Sequence, residues 1–197
     1  MSHFTTIQSQ ITNEKILKEA LQKLGFSLDA SGNCRGYNGR VMPCDYVAKL
    51  PGAYDVGFKR DGSRLNMVSD WEYGDATKYI GKQGGKILQQ YAKIDVMQRA
   101  VEYVERYAEE NSSEIIETKE GENTIITIRN KVTKTRIYFT IKPDGTIDSK
   151  TEGYSGGTCM ETEGMENSLG EIMSRSFTGE FYEGQEQPVV VVNCTTG

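Results

Sequence analysis

One segment constrains the fold more than any other. Across residues 86–110, Ile87, Tyr91, Ile94, Met97, Val101, Val104 and Ala108 recur along one stripe of a long helix. Such a stripe is stable only when another layer covers it, and the flanking segments supply one, because they read as short β-branched strands separated by turn signals. The expectation is an α+β protein with this helix packed on antiparallel strands.

The rest of the chain fits around that helix. Residues 2–11 alternate Phe4, Thr6 and Gln8 with Thr5, Ile7 and Ser9 and read as a strand. Asn13 is placed to cap a helix carrying Ile16, Leu17, Ala20, Leu21 and Leu24, which ends at Gly25. Residues 31–39 are rich in Gly and Asn and read as a loop. Residues 45–50 and 54–59 read as strands joined at Pro51-Gly52, and Asp61-Gly62 signals a hairpin returning through residues 64–71. Residues 74–85 read as a polar loop. After the long helix, residues 114–118 and 124–129 read as strands about Glu120-Gly121. This order is the split βαβ order of ferredoxin-like folds, so residues 1–130 are expected to form a ferredoxin-like βαββαβ unit.

A second, smaller ββαβ unit is expected over residues 131–184. Residues 135–142 and 146–152 read as strands joined by Pro143-Asp144-Gly145, and Thr158 with Glu161 forms a capping-box pattern. Met165, Leu169 and Ile172 mark an amphipathic helix, and residues 177–182 a strand. Residues 185–197 form a C-terminal strand or tail that contains the apolar run from Val189 to Asn193.

Net charge is −5, so bulk charge does not make the whole molecule a polyanion binder. The front is mildly basic and the back acidic, which suits either solubility or a charged partner. The start, Met1-Ser2-His3-Phe4, lacks the basic and apolar regions of a signal peptide, and no run approaches a membrane span. A soluble, cytoplasmic protein with no membrane contact is the expectation. Cys34, Cys44, Cys159 and Cys194 form no CxxC pair, and with His3 as the single histidine they suggest no metal centre and no cofactor.

Several features in order carry a resemblance. Met1-Ser2-His3-Phe4, Ala20-Leu21 with Leu24-Gly25, Arg35-Gly36-Tyr37 with Gly39, Tyr54-Asp55-Val56-Gly57-Phe58 and Gln90-Tyr91-Ala92 resemble the hypothetical chloroplast reading frame 35 family, a domain of unknown function numbered 1257. That likeness runs from about residue 1 to 130. Phe139-Thr140-Ile141-Lys142-Pro143-Asp144-Gly145, the Gly-rich turn to Cys159, Leu169-Gly170 and Thr178 with Glu180-Phe181-Tyr182 resemble the domain of unknown function 2997 over residues 135–184. Genes of these families tend to lie near each other and near an ATPase of the AAA class. The resemblance therefore implies two units that act together, with a AAA-type ATPase or another protein as partner, and it implies no activity. The Gly-rich stretch from Gly81 to Gly85 departs from the first family, and residues after Gly184 have no counterpart.

Candidate sites are few. Arg35, Tyr37 and Arg40, with Lys59, Arg60 and Arg64, could form a basic, aromatic-bearing surface for phosphates or bases, although the last three straddle a hairpin tip where exposed charge is ordinary. Gly81-Lys82-Gln83-Gly84-Gly85-Lys86 precedes a helix and could hold an anion, yet it lacks the Walker spacing and the Ser/Thr after the lysine. Together, Arg35, Tyr37, Arg40, Lys82 and Lys86 would wall one pocket for a small molecule or nucleotide. Asp70, Glu72 and Asp75 could hold a divalent cation or simply be solvated. Cys159 follows Gly156-Gly157 at the expected start of a helix, which would acidify its thiol and allow redox or nucleophilic chemistry, although Glu161 and Glu163 oppose that. His3 has no nameable triad partner. No constellation joins nucleophile, base and oxyanion site. The favoured expectation is a non-enzymatic accessory or adaptor module, followed by a small-ligand or nucleotide binder, and then a thiol-dependent redox protein centred on Cys159.

Overall fold

The structure is a computed structural model that describes residues 3–72, 75–107, 112–154 and 162–177. Strand β1 (His3–Ser9) leads into helix α1 (Glu14–Lys23). Four strands follow: β2 (Leu28–Arg35), β3 (Val41–Ala48), β4 (Val56–Asp61) and β5 (Arg64–Val68). Helices α2 (Asp75–Ile80) and α3 (Gly85–Tyr107) precede β6 (Ser113–Glu120), β7 (Asn123–Asn130), β8 (Arg136–Ile141) and β9 (Thr146–Glu152). Helix α4 (Glu163–Leu169) and strand β10 (Gly170–Phe177) complete the described chain. The α+β class holds, and the pairings are antiparallel throughout the two sheets.

The ferredoxin-like topology does not hold. Strands β2-β3-β4-β5 form a four-stranded sheet of their own, while β1 lies between β10 and β9 in a six-stranded sheet ordered β10-β1-β9-β8-β7-β6. Ile7 faces Ile147 on one side and Ile172 on the other. The first strand is thus paired to partners roughly 140 residues or more downstream, a non-local choice that local periodicity does not encode. The expected boundary at 130/131 falls in the turn between β7 and β8, which pair from Thr124/Ile141 to Arg129/Arg136.

Helix α3 joins two cores. Ile87, Tyr91 and Ile94 pack with α1, α2 and the four-stranded sheet, whereas Ala92, Val96 and Ala100 pack with Ile7, Ile126, Ile137, Phe139, Ile141 and Ile147 of the six-stranded sheet. The stripe read from the sequence divides between the two cores, with Ile87, Tyr91 and Ile94 in the first and Met97 and Val104 against the second, and Val101, expected inside, is 41% exposed. Each fully buried Ile or Phe of the sheet layer contributes about 1.5–3 kcal/mol.

Three local expectations change. Of the expected loop 31–39, residues 31–35 belong to strand β2, because β2 is an edge whose ladder to β3 holds it while its small polar side chains face water. Residues 75–80 form α2, which buries Ala76 and Ile80. Helix α4 stops at Leu169, and Ile172 belongs to β10; a Cβ on Gly170 would sit 2.2 Å from the Gln8 carbonyl, so the chain passes too close to β1 for a larger residue. Arg175 ties α4 to this sheet: its Nη2 lies 2.8 Å from buried Glu166 and its Nη1 2.9 Å from Glu163. Among the described residues no helix is long and apolar enough to cross a membrane.

Candidate functional site

The four-stranded sheet curls until the end of β2 meets the start of β4. The Asp55 amide donates to the Arg35 carbonyl at 3.0 Å, and the Ser69 hydroxyl donates to the Asp55 carbonyl at 2.8 Å. The curl is fixed by the Asp55 side chain, which is fully buried. It accepts from Arg35 Nη2 at 2.7 Å, Arg35 Nε at 2.9 Å, the Arg35 amide at 3.1 Å, Lys49 Nζ at 3.0 Å and the Leu50 amide at 3.4 Å. Burial pushes this carboxyl up, but the hydrogen bonds from Arg35 and Lys49 outweigh it and hold the group down at about 2. Arg35 also donates to the carbonyls of Leu50 and Gly52 at 3.2 Å. It is therefore a structural clamp rather than a free cation awaiting a phosphate.

Beyond the clamp the chain turns tightly. The Gly36 amide donates to the Arg40 carbonyl at 2.8 Å, and Asn38 and Gly39 take left-handed conformations at φ 54° and 74°. The Tyr37 amide donates to Asp70 Oδ2 at 2.8 Å, which pins the turn to the end of β5. Between them opens a cleft of about 450 Å³, walled by Arg40, Val41, Met42 and Pro43 on one side and by Val68 and Asp70 on the other. Its rim is apolar and exposed at Val41 (60%) and Met42 (43%), and Tyr37, in the adjoining turn, is 43% exposed. Inside the curl lie Cys34, Cys44, Val47 and Val68, a small core of their own.

Of the predicted site residues, Arg35, Tyr37 and Arg40 come together at this turn. Lys82 and Lys86 are not among the residues lining the cleft, and the Lys86 ammonium donates to the Tyr79 carbonyl at 3.3 Å. Both loops do touch one segment, since Gly36 abuts Asp70 while Gly84 abuts Met67 and Trp71. Arg60 is paired with Glu14 and lies 3.4 Å from the Tyr46 hydroxyl, so of the expected basic surface Arg35 and Arg60 are both held by carboxylates of the chain itself. The hydrogen bonds from Tyr46 and then Arg60 hold the Glu14 carboxyl below its ordinary range. Asp70 caps Tyr37, and Asp75 accepts from the Ala53 amide at 2.5 Å, which makes both loop anchors. No cluster of three or more His, Cys, Asp or Glu placed to hold a metal occurs among the described residues. Cys159 and the run from Val189 to Asn193 lie outside the described residues, as does the side chain of His3.

Sequence reasoning missed Asp55, Val41 and Met42. A signal was present for the last two: Val41-Met42-Pro43-Cys44 is an apolar run directly after a Gly-Arg turn, longer than one buried face of a strand can absorb.

Comparison with known proteins places these elements in families. The model described as "Protein of unknown function (DUF1257)" matches residues 20–126, more than half of the chain, and the whole cleft falls inside that match. The model described as "Protein of unknown function (DUF2997)" matches residues 137–182, which takes in β9, α4 and β10. The "Uncharacterized protein ycf35" of Cyanophora paradoxa is 29% identical over 93 residues, covering 47% of this chain and 73% of that protein. The chain thus belongs to the DUF1257 family and carries a DUF2997 match whose strands complete the same sheet.

Proposed function

We propose that this chain is a non-enzymatic accessory module whose β2–β3 cleft receives an extended segment of a protein partner, a AAA-type ATPase being the partner its family context suggests. One observation carries the reading: Val41 and Met42 are exposed together at a cleft that Arg35, held by the buried Asp55 carboxylate, also lines. Exposed apolar side chains on a fixed frame favour association, because little ordering is needed when a partner docks.

The test uses point variants in the full chain, since deleting residues 135–184 would remove β8, β9 and β10 from the sheet that holds β1. V41D/M42D should abolish co-purification of the AAA-type ATPase while thermal unfolding stays near that of the parent. Capture of the ATPase undiminished by the pair of substitutions overturns the reading.

A small anionic ligand is the second reading, supported by the Arg40 guanidinium at the cleft wall. Intact mass spectrometry of natively purified protein separates the two. A small mass lost on denaturation and absent from R40A favours the ligand.

A further inference from the structure

Two thiols lie behind the cleft wall, and the sheet's curl brings them together. Cys34 pairs with Met42 and Cys44 with Gly32, so both point to the same face of the β2–β3 ladder. That face is the inside of the curl. A Cβ on Gly57 would lie 2.3 Å from Cys44 Sγ and 3.1 Å from Cys34 Cβ, so both side chains converge on the space that glycine leaves open. Both are free thiols, buried in the described structure. Cys34 Sγ donates to the Asp55 carbonyl at 3.4 Å, and Cys44 Sγ to the Met42 carbonyl at 3.5 Å. Cys34, 5% exposed, also lines the cleft.

We propose that Cys34 and Cys44 form a reversible intrachain disulfide that locks the β2–β3 tip and so gates the cleft. The step is a thiol–disulfide exchange with a low-molecular-weight disulfide. The Cys34 thiolate attacks one sulfur of that disulfide and releases one small thiol. The Cys44 thiolate then attacks Cys34 Sγ and expels the second. The two protein thiols lose two electrons and two protons, and the small disulfide gains them as two thiols. Burial pushes the Cys34 thiol up to about 11, with Cys44 and Asp55 adding to the rise. Exchange is therefore slow at neutral pH, and the lock answers to sustained oxidation rather than to a brief pulse. The chemistry stands on these two residues alone; its consequence for binding rests on the partner-docking reading of the cleft.

The test uses full-length C159S/C194S protein treated with oxidised glutathione at about pH 9, where more of each thiol is ionised. The expected product is lighter by two hydrogens, no longer takes up iodoacetamide, yields a cross-linked Cys34–Cys44 peptide and is restored by dithiothreitol. Amide hydrogen exchange across residues 40–44 should slow about tenfold or more, because closing this short loop suppresses local opening. A stable glutathione adduct on Cys34 with Cys44 still alkylated overturns the proposal, as does unchanged mass. A disulfide that leaves exchange at residues 40–44 unaltered overturns the gating. None of these readouts involves the partner, so they fail separately from the V41D/M42D experiment.

Discussion

The carboxylate of Asp55 lies 2.7 Å from Arg35 Nη2 with no exposure to solvent, while the Arg35 side chain remains 46% exposed. This asymmetry makes Asp55 the critical partner. Lost Arg35 leaves a carboxylate still bonded to Lys49, but lost Asp55 leaves the Arg35 and Leu50 amides and both cations without their shared acceptor. Asp55→Asn should therefore cost about 3 kcal/mol in chemical denaturation, whereas Lys49→Ala, which removes a half-exposed ammonium, should cost about 1 kcal/mol or less.

The two buried aspartates should respond oppositely to pH. Asp55 titrates at about 2 in the fold, below the ~3.9 of an unfolded chain. Its contribution is thus complete above about pH 4 and is lost as pH falls through 2. Burial pushes Asp95 the other way, and Arg99 at 2.8 Å only partly opposes it. Asp95 contributes most below the unfolded pKa, and that contribution is lost as pH rises through its folded value. Denaturation series across pH should show D55N flattening the acid limb between about pH 4 and 2, and D95N removing a decline above about pH 4.

The legible parts of this fold were those whose signals are local. Asn13 stands directly before an apolar helical pattern, and its Oδ1 accepts from the Lys15 and Ile16 amides. Asp61-Gly62 and Pro143-Asp144-Gly145 carry turn chemistry, and each joins strands that pair. What escaped depends on partners distant in the chain. Nothing near Ile7 shows that it will sit between Ile147 and Ile172. Polar β2 is held by its ladder and not by its own composition. Arg35 looked like a ligand-binding cation because its acceptor, Asp55, stands 20 residues away.

Tyr91 shows a polar tip on a buried ring. The ring is fully buried, and its hydroxyl accepts from the amides of Thr12 and Asn13 at 3.1 Å each, immediately before α1. Tyr91→Phe keeps the packing and strands two amides, so it should cost about 1–3 kcal/mol. Faster hydrogen exchange at residues 12 and 13, with the rest of α3 unchanged, would locate the loss at those bonds.

The Gly81–Lys86 loop can be assigned by comparing substitutions within it. A Cβ on Gly85 would sit 2.6 Å from the Pro143 carbonyl, and one on Gly84 2.7 Å from Met67 Cε. The glycines thus let the start of α3 wedge between the β8–β9 turn and the end of β5. Gly85→Ala gains about 1 kcal/mol of helix propensity, but the contact it creates is with backbone, which cannot swing aside. A net loss of about 1–3 kcal/mol is expected. Lys82 and Lys86 are exposed, and replacing either by Ala should change stability by no more than about 0.5 kcal/mol. A melting-temperature series of G85A, K82A and K86A, with and without inorganic phosphate, decides the matter. Loss confined to G85A and no response to phosphate marks the loop as a packing device. Stabilisation by phosphate that disappears in K82A or K86A would instead restore the anion-binding reading of this loop.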